Sequence, residues 1–448
     1  MAEQSVGLTP SSPRGGTRTI QPSRRLTGEI VLPGDKSISH RAVILNSLAK
    51  GKAMIDNFAP GGDCASTIRC LKALGVKIDK AGPQDAPTLA VSGTGQDGLK
   101  EPGNVLDAGN SATTMRLLGG LLASQTFLSV LTGDASLRSR PMGRLIEPLR
   151  LMGAHIWGRG GDSLAPLVIK GSKLQGVDFA LPLPSAQIKS AVLLAGLFAR
   201  GNTVLRQKTP SRDHTERMLR RMGASLESQG NSISLLPLSS PLVPVSLQVP
   251  GDISSAAYFL VAGAIHHNAR LVIKDCGINP TRTGIIDVLL AMGARLKIDN
   301  ERMEAGEPVA DIMVESSELH GIDVGGDMIP RLIDEIPVLA VAACVARGKT
   351  VIRDAGELRV KESDRIATVV AELSRLGAEI EPLPDGMVIR GGRPLSGTEV
   401  DSHFDHRLAM TLAVAGLAAA GETTIKHAQA AQVSYPAFWQ TLQQILSY

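Results

Sequence analysis

The fold is decided by a pattern whose clearest example is Leu289-Leu290-Ala291-Met292-Gly293-Ala294-Arg295-Leu296. An apolar helical stretch ends at a glycine, and a short alternating strand follows it. The glycine suits the left-handed position that ends many helices. The same pattern recurs around Gly75, Gly153, Gly223 and Gly377. We expect a sixth, shortened copy at the C-terminal Leu442-Gln443-Gln444-Ile445-Leu446.

These copies predict six repeat units that each mix helices with strands. Successive glycines lie 70 to 84 residues apart, whereas the repeats of a solenoid usually run about 20–50 residues. The turn Pro33-Gly34-Asp35 recurs as Pro250-Gly251-Asp252, 217 residues later, and Gly293 follows Gly75 by 218. The simplest account is two similar halves of three units each, with α/β layers in which helices cover the sheets.

The composition excludes several classes of protein. It is 43% hydrophobic and 20% charged, which is typical of a soluble globular protein. A net charge of +4, with seven Phe, three Tyr and two Trp in 448 residues, leaves few surfaces on which bases could stack. We therefore expect neither nucleic-acid binding nor, since every apolar run is shorter than about 18 residues, a membrane span.

The compartment is predicted from the cysteines and the N-terminus. Cys64, Cys70, Cys276 and Cys344 lack the spacing of a metal site or a disulfide framework. The first residues lack the apolar segment of a secretory signal. We predict a cytoplasmic protein with reduced, packed cysteines and a flexible N-terminal tail over residues 1–25.

An anion site is predicted at Pro33-Gly34-Asp35-Lys36-Ser37-Ile38-Ser39-His40-Arg41. A strand over residues 28–32 breaks at the Pro-Gly turn, and a helix begins near Ser37. The N-terminus of a helix presents free N–H groups and a partial positive charge, which suit phosphate or carboxylate. Lys36 adds a point charge and Arg41 a planar fork. Taken alone, the segment is equally typical of a capped surface helix with solvated cations.

Further segments of the first half have the same plan. Asp107–Arg116 places small and polar residues before an apolar helix, and Pro184–Ser190 places Ser and Gln before another. Arg138–Arg144 contributes three arginines at a turn, and Ser211–Glu216 combines Arg212 with a predicted capping box. Each segment by itself suits ordinary helix capping, but their number favours a ligand site.

The second half contributes acids among cations. They occur in Ile333-Asp334-Glu335, in Leu358–Arg365 and in Asp405-His406-Arg407. A carboxylate among cations can transfer protons if its pKa is tuned, although a solvated ladder of salt bridges is an alternative. His403 and His406 lack a third ligand partner, so we expect no metal and no cofactor.

Together, and in this order, the motifs resemble those of the EPSP synthase family, whose members transfer the enolpyruvyl group of phosphoenolpyruvate to shikimate 3-phosphate. The likeness spans about residues 26 to 440. It implies a two-lobed enolpyruvyl transferase fold, an inside-out α/β barrel with three βα repeats in each lobe. The continuous lobe would cover residues 36–250 and the discontinuous lobe residues 26–35 plus 251–448, with crossovers near 35 and 251.

The resemblance also implies roles for individual residues. Those expected to hold shikimate 3-phosphate are Lys36, Ser37, Arg41, Ser185, Ala186, Gln187, Arg212, Asp334 and Lys361. Those expected to hold phosphoenolpyruvate are Lys36, Asn110, Ala112, Thr113, Arg140, Gln187, Arg365 and Arg407. Asp334 would be the base for the 5-hydroxyl, Glu362 the proton donor to C3 and Lys36 an aid to the departing phosphate.

The chain departs from many family members at three positions. Ala112 replaces a Gly and Leu117 a Pro, which resembles the glyphosate-tolerant class II branch and predicts weak inhibition by glyphosate. Val433 stands where a Lys is usual. The family implies a monomer that acts on its two small substrates without nucleic acid or membrane.

Two alternatives remain open at this point. The sister transferase that acts on UDP-N-acetylglucosamine shares the repeat, but it usually carries an Asn after the active-site Lys, where this chain has Ser37. A noncatalytic anion-binding protein of the same fold would not need both Asp334 and Glu362.

Overall fold

The computed structural model describes residues 16–95 and 97–447. Its α-helices are α1 (Lys36–Leu48), α2 (Gly62–Ala73), α3 (Ala112–Ala123), α4 (Ala135–Ser139), α5 (Gly143–Leu151), α6 (Arg159–Asp162), α7 (Ala186–Gly196), α8 (His214–Arg221), α9 (Ile253–Ile265), α10 (Gly284–Ala291), α11 (Ile329–Leu332), α12 (Ile336–Val345), α13 (Arg365–Arg375), α14 (His406–Ala418) and α15 (Phe438–Ile445). Short 3₁₀ helices span Gly326–Met328, Gly356–Val360 and Ala428–Val433.

The strands of the first half alternate with these helices. They are β1 (Arg18–Ile20), β2 (Arg25–Val31), β3 (Lys50–Asp56), β4 (Lys77–Ala81), β5 (Thr88–Thr94), β6 (Leu106–Asp107), β7 (Leu128–Thr132), β8 (His155–Gly158), β9 (Leu164–Lys170), β10 (Asp178–Leu181), β11 (Thr203–Gln207), β12 (Leu226–Gln229), β13 (Ser232–Leu235) and β14 (Leu247–Gln248). Those of the second half are β15 (Ala269–Gly277), β16 (Arg295–Glu304), β17 (Glu307–Glu315), β18 (Asp323–Val324), β19 (Gly348–Ile352), β20 (Glu379–Leu383), β21 (Gly386–Gly391), β22 (Leu395–Ser396), β23 (Glu399–Asp401), β24 (Ala419–Ala420), β25 (Thr423–Lys426) and β26 (Leu446–Ser447).

The chain divides into two compact units. The continuous unit consists of residues 34–250 together with 303–307, which include the end of β16, the turn after it and the first residue of β17. The discontinuous unit consists of the described residues up to 33, of residues 251–302 and of those from 308 onward. That these units act as the two lobes implied by the resemblance stays a prediction.

One strand order recurs in the sheets. In the continuous unit the orders are β14-β3-β5-β4, β6-β7-β9-β8 and β10-β11-β13-β12. Each begins with a parallel pair and continues with two antiparallel pairs. The discontinuous unit repeats this order in β18-β19-β21-β20, and its five-stranded sheet β16-β17-β15-β2-β26 contains the parallel pair β2 and β15. The predicted α/β class built from βα repeats is confirmed.

Each unit encloses three helices. Helices α1, α3 and α7 of the continuous unit, and α9, α12 and α14 of the discontinuous unit, are buried on nearly every face. Helix α12 is apolar all round and requires such enclosure, whereas α1 also buries polar side chains such as His40 and Arg41. Strands such as β5 and β9 alternate buried with more exposed residues, so their sheets cover the helices with one face only.

The repeated glycines end the outer helices as predicted. Gly75, Gly153, Gly223, Gly293 and Gly377 have φ angles of +88°, +94°, +90°, +97° and +90°. They follow α2, α5, α8, α10 and α13 by two residues. In the sixth copy, α15 passes directly into β26.

The N-terminal tail is shorter than predicted. Strand β1 pairs antiparallel with β25, where Ile20 lies opposite Thr423 and is completely buried. The prediction of a flexible tail over residues 1–25 is therefore wrong for residues 18–20, because this strand completes a sheet. Residues 1–15 lie outside the described residues.

Two buried helices of the continuous unit touch backbone to backbone. A Cβ added at Gly120 in α3 would lie 2.1 Å from the carbonyl oxygen of Ala191 in α7. Only glycine permits this approach. This close approach of the two helices brings their first turns near each other. Both first turns carry predicted site residues.

Candidate functional site

The predicted site motifs of the continuous unit lie at the first turns of its buried helices. Helix α1 begins at Lys36, α3 at Ala112 and α7 at Ala186. The first N–H groups of a helix lack partners within the helix and form its positive end. The side chains that cap these three helices are Asp35, Ser111 and Ser185. The N–H groups that remain form a surface suited to anions.

Lys36 is held in place by an acid that the sequence did not indicate. Its Nζ lies 2.9 Å from Oδ2 of Asp63, in the first turn of α2. The Lys36 side chain keeps 22% of its surface exposed. The ammonium group therefore has a fixed direction and is still reachable by a ligand.

A buried chain of polar side chains fixes α1, α2 and α3 to one another. Nδ1 of His40 lies 2.7 Å from Oγ1 of Thr67, which lies 2.6 Å from Oγ1 of Thr114. The Thr114 hydroxyl also bonds Ser111. Burial lowers the pKa of His40 from 6.5 to about 3. His40 is thus a neutral structural residue at neutral pH.

Arg41 lies in the interior, where its guanidinium joins three segments. Nε donates to Thr215 and Nη2 to Ser190, both at 2.7 Å, and Nη1 donates to the Ser37 carbonyl at 2.9 Å. Burial lowers the pKa of Arg41 to about 10, so the group is still charged at neutral pH. Nη1 of Arg212 approaches the Ser37 hydroxyl at 3.4 Å. The structure thus brings Ser37, Arg41 and Arg212 together, and their role in holding one phosphorylated ligand stays a prediction.

Asn110 and Arg140 form a second group. Nη2 of Arg140 donates to Oδ1 of Asn110, and Nδ2 of Asn110 donates to Asp134, both at 2.7 Å. Asp134 in turn caps α4. Because Arg140 is only 9% exposed, these contacts fix the direction of its guanidinium.

Gln187 connects α7 with α3. Its Nε2 donates to Oγ1 of Thr113 at 2.9 Å, while its Oε1 accepts from Arg116. Arginine can only donate, so this contact sets the orientation of the amide. Arg116 also donates to the carbonyl of Pro141 at 3.1 Å, next to Arg140.

The small residues of the predicted site lie at the starts of α3 and α7. Ala112 is 8% exposed, so its methyl group is nearly enclosed. Ser185 and Ala186 are half-buried, and the Ser185 hydroxyl accepts from Ile188 N at 3.4 Å.

The discontinuous unit surrounds Asp334 with three cations. Oδ1 lies 3.7 Å from Lys361 Nζ and 3.6 Å from Arg365 Nη1, and Oδ2 lies 3.6 Å from Arg407 Nη2. Arg407 also donates to the Asp334 carbonyl at 3.1 Å. Burial would lower the pKa of Arg407, but Asp334 raises it above its ordinary value. Arg407 therefore stays charged beside a carboxylate that lies just before α12.

Glu362 belongs to the same cluster through Arg365. Nη2 of Arg365 lies 2.6 Å from Oε2 of Glu362, and its Nε lies 2.8 Å from Oδ2 of Asp405. Asp405 caps α14 and accepts from Arg407 N. Burial opposes the charge of Arg365, but Asp405 and Glu362 raise its pKa above the ordinary value. Every site residue predicted in this half lies in one cluster.

The predicted capping box before α8 is wrong. The Asp213 side chain pairs with Arg217 at 2.8 Å and does not cap the helix. Glu216 turns inward to Lys189 at 2.6 Å. A buried lysine was a better partner for this carboxylate than a backbone N–H, and nothing local in the sequence shows that lysine.

Three residues that position the site were not assigned from the sequence. Arg116 and Asp405 stand inside motifs that were singled out, and their charge next to a predicted helix start was an available signal. Asp63 was not marked by any pattern, because its contact with Lys36 depends on the packing of α2 against α1.

Comparison with known proteins agrees with this geometry. A family model described as EPSP synthase (3-phosphoshikimate 1-carboxyvinyltransferase) matches residues 20–442. The chain belongs to the EPSP synthase family. A 3-phosphoshikimate 1-carboxyvinyltransferase of Herpetosiphon aurantiacus is 55% identical over 430 residues, covering 96% of this chain and 99% of the relative. One from a Synechococcus strain is 53% identical over 433 residues, covering 96% of each chain.

Solved structures agree as well. An EPSP synthase from Acinetobacter baumannii superposes with a TM-score of 0.85 at 43% identity, covering 96% of this chain and 98% of that one. The predicted enolpyruvyl transferase fold and the predicted carboxyvinyltransferase activity are thus confirmed at the level of the family. Within residues 16–95 and 97–447, no helix is long and apolar enough to cross a membrane.

The neutral state of His40 predicts a pH dependence of stability. Its folded pKa of about 3 lies below the ordinary 6.5, so between these values only the unfolded chain binds the proton. Stability is therefore lost as the pH falls below 6.5. Relative to His40→Asn, which keeps a polar group near the Nδ1 position, the wild type should lose about 1.4 kcal/mol between about pH 7.5 and about pH 5.5.

Urea unfolding of both proteins at the two pH values measures this difference. The comparison cancels the other titrating groups, which both proteins share. An equal difference in unfolding free energy at the two pH values would show that folding does not lower the pKa of His40.

Proposed function

We propose that the protein transfers the enolpyruvyl group of phosphoenolpyruvate to the 5-hydroxyl of shikimate 3-phosphate, giving 5-enolpyruvylshikimate 3-phosphate and phosphate. This reaction serves chorismate and aromatic amino acid biosynthesis. The observation that carries the proposal is the Asp334 carboxylate within 3.6–3.7 Å of three cations. A base held among cations suits a reaction between two anionic substrates.

Shikimate 3-phosphate is proposed to lie at the starts of α1 and α7. Ser185 and Ala186 would offer backbone and hydroxyl donors to its phosphate, together with the guanidinium of Arg212. Ser37 lies within 3.4 Å of Arg212, which supports a shared ligand. Arg41 would act indirectly, because it donates to the Ser37 carbonyl and so fixes Ser37. Gln187 would form hydrogen bonds with the ring hydroxyls. Lys361, beside Asp334, completes this set.

Phosphoenolpyruvate is proposed to lie at the start of α3. Asn110 and Arg140 are already joined there, and Thr113 is joined to Gln187. Lys36, Arg365 and Arg407 are proposed to add charge for its phosphate and carboxylate. Val433, at the end of a 3₁₀ turn, stands where many relatives have a Lys and brings no charge of its own.

The proposed chemistry is an addition followed by an elimination. Asp334 removes the proton of the 5-hydroxyl as its oxygen attacks C2 of phosphoenolpyruvate, and Glu362 gives a proton to C3. The tetrahedral intermediate then loses phosphate, assisted by Lys36, while C3 returns a proton to Glu362 and the double bond re-forms. Charges fixed in advance stabilise the transition state without reorganisation.

The finer properties are proposals of the same kind. The nearly enclosed methyl group of Ala112 supports membership of the glyphosate-tolerant class II branch, because it narrows the space beside the proposed phosphoenolpyruvate position. Ser37 after Lys36 speaks against UDP-N-acetylglucosamine as the acceptor. A monomeric state, a cytoplasmic location and the action of the two units as lobes stay predictions.

Phosphate release tests the proposed function. We expect release only when phosphoenolpyruvate and shikimate 3-phosphate are both present, and none with UDP-N-acetylglucosamine. Asp334→Asn and Glu362→Gln should each lower kcat by roughly 100-fold or more, because each removes a proton-transfer group.

The control for these variants is Glu318→Gln, which changes an exposed carboxylate of the same unit and should leave kcat unchanged. Release that requires UDP-N-acetylglucosamine, or an absence of release with every acceptor, would overturn the proposed function. Wild-type rates in both acid variants would overturn the roles assigned to Asp334 and Glu362.

Glyphosate inhibition tests the role of Ala112. The wild type should be inhibited only at concentrations far above the phosphoenolpyruvate it needs. Ala112→Gly should lower the glyphosate inhibition constant by about tenfold or more, since one methyl group in a tight pocket discriminates on this scale.

Ala123→Gly is a matched control, because it removes a buried methyl group from the last residue of the same helix, α3. It should leave glyphosate inhibition as in the wild type. Inhibition of the wild type at concentrations comparable to phosphoenolpyruvate, or equal inhibition of the wild type and Ala112→Gly, would contradict the proposal.

A further inference from the structure

A buried ion pair joins α7 to α8, close in sequence to residues of the proposed shikimate 3-phosphate site. Nζ of Lys189 in α7 lies 2.6 Å from Oε1 of Glu216 in α8, and the two side chains are 0% and 3% exposed. Lys189 also donates to the carbonyl of Ser211 at 3.0 Å. The roles assigned so far to site residues include neither Lys189 nor Glu216.

Stability alone does not explain this pair. Removing two charges from water is costly, and apolar side chains of similar size often stabilise a protein as well or better. Within the described ranges, the second carboxylate oxygen of Glu216, Oε2, has no hydrogen-bond partner. Because an ion pair with an unsatisfied oxygen adds little to stability, the geometry that it imposes is the better explanation of its presence.

The pair sets the register between α7 and the start of α8. The residues that follow Lys189 and precede Glu216 are Ser190 and Thr215, whose hydroxyls lie 2.7 Å apart. Both hydroxyls accept from the guanidinium of Arg41. A shift of one helix along the other would separate these two acceptors and release Arg41.

The same pair sets the loop that carries Arg212. Lys189 donates to the carbonyl of Ser211, the residue before Arg212, and the backbone N–H of Ser211 donates to Oε1 of Gln207 at 3.2 Å. Arg212 then reaches the Ser37 hydroxyl. The direction of Arg212 thus depends on a lysine whose own position is fixed by its contact with Glu216.

We propose that Lys189 and Glu216 are positioning residues for shikimate 3-phosphate, which act through Arg41 and Arg212 without touching the ligand. This inference rests on the proposed function. The contacts of Asn110 and Arg140, proposed for phosphoenolpyruvate, belong to the starts of α3 and α4. Loss of the pair should therefore weaken the binding of shikimate 3-phosphate and leave the binding of phosphoenolpyruvate unchanged.

The test is the double variant Lys189→Met with Glu216→Met, in which two unbranched apolar side chains replace the pair. It should fold with a melting temperature at or above that of the wild type. With phosphoenolpyruvate saturating, the KM for shikimate 3-phosphate should rise about tenfold, as for the loss of one charge-assisted hydrogen bond. With shikimate 3-phosphate saturating, the KM for phosphoenolpyruvate should stay within about twofold, well below the tenfold step.

The matched control is Asp178→Asn with Arg206→Gln, which neutralises an exposed ion pair of the same unit, 2.7 Å between Nη2 and Oδ2. Both KM values should be those of the wild type. If the Met double variant does not fold, Glu216→Gln serves instead. It keeps one acceptor for Lys189 but loses the charge, and we expect a smaller rise confined to the KM for shikimate 3-phosphate.

Unchanged KM for shikimate 3-phosphate in the folded double variant contradicts the inference. So does an equal rise in the KM of both substrates, and so do unchanged KM values in Glu216→Gln if that variant is the one measured. These outcomes differ from failure of the proposed function, which would already show as a wild type that releases no phosphate from the two substrates.

Discussion

The enclosure of α1, α3 and α7 is the constraint on which the continuous unit depends. Helices buried on all faces can present only their ends, and the positive N-terminal ends carry N–H groups that need partners. The backbone contact at Gly120 places the starts of α3 and α7 side by side. The side chains of Ser111 and Ser185 accept hydrogen bonds from some of these N–H groups. The remaining N–H groups explain why anionic substrates suit this end of the helices.

Fixed charge is the second element of the site, and it is fixed by carboxylates. Lys36 is held by Asp63, and Arg365 by Glu362 and Asp405. Cations held this way do not have to be ordered when a substrate arrives, which lowers the cost of binding. In the buried pair, Glu216 holds Lys189 in the same way, although neither residue is proposed to touch the ligand.

Much of the fold could be predicted because its signals are local. The glycines that end outer helices, and the helix that begins at Lys36, follow from a few neighbouring residues. The contacts that complete the site are long-range. Asp63 contacts Lys36 only because α2 packs on α1. Glu216, which the sequence predicted to belong to a capping box, is instead buried in contact with Lys189. Strand β1 was missed because its partner lies about 400 residues away in the sequence.

The most direct measurement is a structure determined with shikimate 3-phosphate bound. We expect the 3-phosphate oxygens to lie within hydrogen-bond distance of the first turn of α7, at Ser185 and Ala186, and of the Arg212 guanidinium. We also expect Lys189 and Glu216 to stay paired and to make no contact with the ligand. A 3-phosphate bound away from the start of α7, or in contact with Lys189 itself, would contradict the proposed shikimate 3-phosphate site.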